Sequence, residues 1–288
     1  MKHTPLKISL ILCTVKIIPE IKLLMESLAS QHECNFELIV VDQSSDNQIE
    51  NLIIKYKNLI DINYQGVDFK GLSKSRNHGI QHAKGDIIGF PDDDCWYEQK
   101  ALHNISEFFQ SNSDTDFVSI KTITEPNSKF SINNSSNKKS YILPLNTKTC
   151  SITLFARRAL ITNTQGFDIR LGAGTHTPFK ASEEEDLIYR AIQEGFFGFY
   201  YPIAEVYHPL KGEDLNMASA HRWIDYSCGK MACQLKNRKL VGNTIIAARI
   251  IYCILKPIAT IYSPKKSAKA LFEALGIARA IYSFKKYY

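Results

Sequence analysis

The sequence has little that would cross-link, anchor or export it. Its seven cysteines, at 13, 34, 95, 150, 228, 233 and 253, are odd in number and scattered. None forms a C-x-x-C pair and no histidine spacing suggests zinc, which argues against a disulfide scaffold or a zinc-held fold and reads as free thiols in a reducing cytoplasm. A long uncharged apolar run is also missing. The strongest, residues 244–262, is broken by Arg249, Lys256 and Pro257, whereas a spanning helix wants about twenty residues with few charges. Near the N-terminus, Lys2 and Lys7 precede an apolar stretch too short for a secretion signal, with no small-residue cleavage site after it, so residues 8–12 read as a first strand. Internal repeats are absent. Acid is scarce in the tail: from Gly229 onward twelve Lys or Arg face a single acid, Glu273, so the net charge of +6 sits there. Such asymmetry points to an anionic surface as partner. The tail carries Tyr and Lys but no RNA-binding motif, so no nucleic acid is expected.

What is present is a globular composition, 44% hydrophobic and 22% charged, over 288 residues. That is enough for one large domain with an extension. Apolar runs at 7–14 and 36–41 are each followed by apolar residues at helical spacing, Ile21, Leu24, Met25 and Leu28, then Ile49, Leu52, Ile53 and Tyr56. A third short strand is expected at 60–64, a helix opening at Gly71-Leu72-Ser73 and ending before Gly85, and a fourth strand over 86–90. This alternation predicts an α/β fold with a wound, mostly parallel sheet. A helix over 99–110, a strand near 117–123, a polar exposed loop over 125–140 and strands at 196–201 and 204–207 follow. In an open parallel sheet, ligands bind beyond the carboxyl ends of the strands. Thr14, Asp42 to Asp46, and Asp92 to Asp94 all follow strands in that way, and are expected to converge on one crevice.

The stretch Phe90-Pro91-Asp92-Asp93-Asp94-Cys95-Trp96-Tyr97 carries the chemistry. Three adjacent like charges at a strand end repel one another and invite a shared cation. Mg²⁺ or Mn²⁺ takes one or two carboxylates and fills its other positions with phosphate oxygens and water. The plainer alternative is an acidic turn capping a helix that starts near Tyr97. A second acidic cluster, Glu183-Glu184-Glu185-Asp186, opens a helix, where acids also favour the helix dipole.

In that order, Val41-Asp42, Arg76-Asn77, the Asp92 to Asp94 triplet and Glu183 to Arg190 resemble the family-2 glycosyltransferases of the GT-A fold, over residues 7–209. The resemblance implies an inverting transfer of sugar from a nucleotide-diphosphate donor, with Mn²⁺ or Mg²⁺ as cofactor. It assigns Thr14, Asp42 and Gln43 to the base and ribose, Asp94 and Asp92 to the metal, and Asp93 to the ribose or sugar. Arg76 falls where the family meets the diphosphate or pins the loop, and His208 where some relatives place a histidine near the metal. Glu184 falls at the general base, with Glu183 and Asp186 behind it, and the turn Gly166-Phe167-Asp168 is expected to be structural. A transferase domain over 1–215, with a nucleotide half of about 1–97 and an acceptor half of about 98–215, would precede a basic amphipathic helical extension over 216–288. The extension fits the inner face of the cell membrane and a lipid-linked or glycan acceptor of surface polysaccharide synthesis. A nucleotidyltransferase is the competing enzyme, but it wants a glycine-rich phosphate loop and residues 13–19 hold no glycine. A non-catalytic membrane-associated binding protein is the other alternative.

Overall fold

The computed structural model describes residues 6–124, 140–141, 149–209 and 214–288. Most of the expected polar loop at 125–140 lies outside these residues. In chain order the elements are β1 (Lys7–Thr14), α1 (Glu20–Ala29), β2 (Asn35–Asp42), α2 (Gln48–Ile53), β3 (Ile62–Gly66), α3 (Leu72–His82), β4 (Ile87–Gly89), β5 (Trp96–Tyr97), α4 (Ala101–Ser111), β6 (Phe117–Ile123) and β7 (Ser140–Tyr141). They continue with β8 (Leu154–Arg157), α5 (Arg158–Asn163), α6 (Glu183–Gln193), β9 (Gly198–Tyr207), α7 (Met217–Lys236), α8 (Arg238–Val241), α9 (Asn243–Ala259) and α10 (Pro264–Tyr287).

The chain forms two compact units. The first comprises residues 1–70, 74–166 and 194–210. Its sheet runs β3-β2-β1-β4-β8-β6-β9-β5, with β7 paired to β9. The leading four strands are parallel, as the strand-helix alternation requires, whereas β8 runs antiparallel to both β4 and β6. β1 and β2 are buried almost throughout, which is why their sequences read as continuous apolar runs rather than alternating ones. Ile21, Leu24, Met25 and Leu28 of α1 are buried, and join Leu10, Leu12 and Val40 in one core. Gly79 lets α3 lie close to β1: a Cβ there would stand 2.4 Å from Cγ2 of Ile11.

Trp96 and Tyr97 are strand, pairing antiparallel with Tyr207 and Val206 of β9, and the next helix begins at Ala101. The acidic triplet therefore does not cap a helix at Tyr97. The two strands expected at 196–201 and 204–207 are one strand, β9, whose pairing with β6 shifts register between Ser119 and Lys121.

The second unit comprises residues 71–73, 167–193 and 211–288. Sequence reasoning puts the boundary after residue 215, but in the structure the segment carrying α6 groups with the C-terminal helices. The physical cause is buried charge: Asp186 of α6 is wholly buried and takes Lys236 of α7 at 2.8 Å and the following Asn237 at 2.9 Å. Leu171, Phe179 and Tyr189 pack with Met231, Ala232 and Ile277 in this unit's core. α10 crosses α7 at Gly276, where a Cβ would lie 2.3 Å from the Ile224 carbonyl oxygen.

Candidate active site

In the first unit, strand register brings the predicted nucleotide residues together. Thr14 and Asp42 are paired directly across β1 and β2, and the Gln43 amide donates to the Thr14 carbonyl at 2.9 Å. All three are buried. Asp42 is oriented by two donors, the Ser44 amide at 2.7 Å and the Tyr64 hydroxyl at 2.9 Å. Burial and the Asp42 hydrogen bond push the Tyr64 phenol up to about 12, so it stays a donor. Lys70 Nζ donates to the Gln43 carbonyl.

The three consecutive aspartates turn to three different partners. Asp93 accepts from the Thr14 hydroxyl at 2.7 Å, which joins the end of β4 to the end of β1. Burial pushes the Asp93 carboxyl up; the Thr14 hydrogen bond opposes this, and the Asp92 and Asp94 charges add to it. Asp92 accepts from Arg76 Nη2 at 3.1 Å and from the Ser151 hydroxyl at 3.4 Å. Arg76 is only 1% exposed, and its guanidinium lies 5.9 Å from the Phe90 ring centroid. Asp94 meets His208 Nε2 at 3.2 Å. The pairing of β5 with β9 produces that contact, because Asp94 lies just before Trp96 and His208 just after Tyr207.

Among the described residues, no three His, Cys, Asp or Glu side chains are already arranged around a cation. The donor chemistry nevertheless fits one. Asp92 and Asp94 are hard oxygen donors, His208 is an imidazole beside Asp94, and Mg²⁺ or Mn²⁺ commonly leaves its remaining positions to phosphate oxygens and water. His208 Nδ1 is buried without a hydrogen-bond partner among the described residues.

In the second unit the four acids of α6 have different surroundings. Glu183, Glu185 and Asp186 are buried, and Glu184 is half-buried. Glu183 sits behind the turn at Gly172, and Glu185 accepts from Lys230 at 2.7 Å. Asp186 is taken on one oxygen by Arg190 and Lys236, both at 2.8 Å, and on the other by Asn237. Asp186 therefore ties α6 to α7 and the residue that follows it. Ser182, just before the helix, has φ of +68°, a strained backbone of the kind that clusters at functional positions.

The Gly166-Phe167-Asp168 turn ends in a structural clamp, as expected. Asp168 accepts two side-chain N–H groups of Arg170 at 2.9 Å, Lys236 at 2.7 Å and the Tyr288 hydroxyl at 3.0 Å. Tyr64, Lys70 and Ser151 were not legible from sequence as site residues. Each reaches the site through tertiary contact, and no local pattern marks them.

A parallel strand set with an acid closing its second strand and an acidic triplet after its fourth, continued by antiparallel strands, defines an α/β fold of the GT-A type. Solved structures agree. A mannosyltransferase from Pyrobaculum calidifontis, in complex with GDP-Man and Mn²⁺, matches with a TM-score of 0.65 and 12% identity over 98% of this chain and 88% of its own. TarS 1-349 from Staphylococcus aureus, in complex with UDP-GlcNAc, gives 0.56 and 16% over 97% and 92%. The pattern described as "Glycosyl transferase family 2" matches residues 9–165. The chain belongs to that family. The poly(ribitol-phosphate) beta-N-acetylglucosaminyltransferase TarS of S. aureus (strain Mu50 / ATCC 700699) is 28% identical over 123 residues, 41% of this chain. An uncharacterized glycosyltransferase of Haemophilus influenzae (strain ATCC 51907 / DSM 11121 / KW20 / Rd) is 28% identical over 100 residues, 34% of this chain. These matches span 22% and 33% of the relatives' own lengths.

Proposed function

We propose that the protein transfers a sugar, with inversion, from a nucleotide-diphosphate donor to an acceptor hydroxyl. The observation that carries this reading is the junction of strand ends: Thr14, Asp42 and Gln43 beside the acidic triplet, tied by the Thr14–Asp93 hydrogen bond. Asp42 and Gln43 meet the base and ribose, Asp93 orients the ribose or sugar, and buried Arg76 stands by the diphosphate. Asp92, Asp94 and His208 are the residues that would hold Mn²⁺ or Mg²⁺. An ion held there would supply positive charge to offset that of the diphosphate leaving group.

Glu184 is the general base, taking the proton of the acceptor hydroxyl. The observation in its favour is that its three acidic neighbours on α6 are buried, while it remains accessible. The relatives support the donor class: TarS is solved with UDP-GlcNAc and the mannosyltransferase with GDP-Man and Mn²⁺.

The acceptor is a lipid-linked glycan of surface polysaccharide synthesis, reached from the membrane surface. No helix among the described residues is long and apolar enough to cross a membrane. α9 instead turns Ile251, Ile254, Leu255 and Ile258 outward at helical spacing, continued by Ile261 and Tyr262, with Lys265 and Lys266 exposed just beyond. An exposed apolar stripe flanked by cations suits an anionic lipid surface. The transferase domain and basic extension inferred from sequence serve these two tasks, donor chemistry and surface attachment.

A thermal-shift panel of nucleotide diphosphates and nucleotide sugars, with and without Mn²⁺, tests the donor reading. A nucleotide diphosphate should raise the melting temperature only when Mn²⁺ is present, and a flat panel would sink it.

A further inference from the structure

Within the helical unit, residues 168–182 run from the Asp168 turn to the start of α6 with neither helix nor strand. A long connection of that kind inside a compact unit commonly carries function, and its order depends on what it packs against. Gly172 and Gly174 have φ of +99° and +74°, and Ser182 of +68°, a path that costs backbone entropy and strain. Yet Leu171, Thr177 and Phe179 are at most 1% exposed. Contacts from elsewhere in the unit must hold the segment in place.

The end of α10 and the residue after it supply such contacts. Arg170 Nη1 donates to the Tyr287 carbonyl at 3.1 Å, and the Arg170 guanidinium lies 3.9 Å from the Tyr288 ring centroid. The Tyr288 hydroxyl donates at 3.0 Å to the Asp168 oxygen that also takes Lys236 of α7. Phe179, near the other end of the segment, meets both tyrosines, with the Tyr287 ring edge-on at 5.7 Å and the Tyr288 ring stacked at 6.0 Å. Tyr288 thereby joins the two ends of the segment. The Gly172 amide closes the loop by donating to the Phe179 carbonyl at 3.0 Å. Behind Gly172 stands the Glu183 carboxyl, 3.2 Å from where a Cβ would be, and Glu183 is the neighbour of Glu184.

We infer that Tyr288 is a positioning residue for glycosyl transfer: closed on Arg170, Asp168 and Phe179, it fixes the 171–182 segment and through it the start of α6, where Glu184 stands. This role rests on the reading of Glu184 as the base. Tyr288 itself need touch neither donor nor acceptor. It keeps the carboxylate in reach of the hydroxyl, and a small misplacement of a reacting group is costly in rate.

The test compares the full chain with Tyr288→Phe and Tyr288→Ala. Phenylalanine keeps a ring on Arg170 and Phe179 and loses only the Asp168 hydrogen bond, whereas alanine loses both. Amide hydrogen exchange, measured without donor or metal, should be at least about tenfold faster over residues 171–182 in Tyr288→Ala, with β1 and β2 unchanged. Turnover is followed as release of nucleotide diphosphate from the nucleotide sugar that stabilises the parent most, with water standing in for the acceptor hydroxyl. In Tyr288→Ala kcat should fall at least about tenfold, while donor KM and calorimetric affinity for the nucleotide diphosphate stay within about twofold. Tyr288→Phe should restore most of kcat. Should Tyr288→Ala not fold, Tyr288→Leu, which keeps bulk but no ring, is read in the same way. Unaltered exchange over 171–182, or a loss of kcat matched by an equal loss of donor affinity, overturns the inference. A parent that turns over no nucleotide sugar defeats the transfer reading and this role together. Parent activity that Tyr288→Ala leaves untouched defeats the role alone.

Discussion

Four adjacent acids open α6, and packing distinguishes them. Glu183 and Glu185 are buried against neighbours and Asp186 is bonded on both oxygens, while Glu184, the proposed base, is the least buried of the four. Replacing Glu184 by Gln keeps size and removes basicity. Turnover should fall by about 10²- to 10⁴-fold while nucleotide binding is retained, measured as transfer rate against calorimetric affinity for the nucleotide diphosphate. At the other cluster, Asp94→Asn should weaken the Mn²⁺-dependent part of nucleotide stabilisation in a thermal-shift series, because an uncharged amide oxygen is a poorer donor to a hard cation than a carboxylate. Thr14, Asp42 and the aspartate triplet are readable from sequence because each directly follows an apolar strand. Tyr64, Ser151 and Lys70 are not: what places them is the pairing of strands and the path of loops.

α3 can lie on β1 because residue 79 has no side chain. Gly79→Val would drive a branched side chain into Ile11 and should cost about 1–3 kcal/mol, seen as a lower urea midpoint, with Arg76 displaced and nucleotide affinity reduced. A different element depends on charge. Burial alone would raise the Asp168 carboxyl, but Arg170 and Lys236 hold it well below the usual carboxylate range. A carboxyl whose folded value is depressed adds stability above its unfolded value of about 4, and that stability is lost as pH falls toward the folded value. The urea midpoint should therefore fall as pH drops below about 4, and Asp168→Asn should flatten that acid limb while lowering stability at neutral pH. Strand β5 shows what a short element conceals. Trp96-Tyr97 carries no periodicity of its own, and its pairing with β9 brings Asp94 to His208.

For the molecule as a whole, the basic tail and the outward apolar stripe of α9 should act together at a membrane. Ile254→Ser with Ile258→Ser should reduce sedimentation with phosphatidylglycerol vesicles several-fold, and raising the salt should weaken what remains, because surface attraction between charges is screened. Equal sedimentation of variant and parent would exclude the stripe as the contact. By itself, the sequence determined the strand and helix order of the nucleotide half, the positions of its acids at strand ends and the concentration of positive charge in the last third. Apolar periodicity and composition are local properties, and a linear reading recovers them. Only the tertiary structure decided that residues 167–193 pack with the C-terminal helices, that one acid of four on α6 stays accessible, and that Tyr288 closes on Asp168 and Arg170. Those outcomes turn on which distant groups are buried against one another, and burial of a charge is settled by its partners in space rather than by its neighbours in the chain.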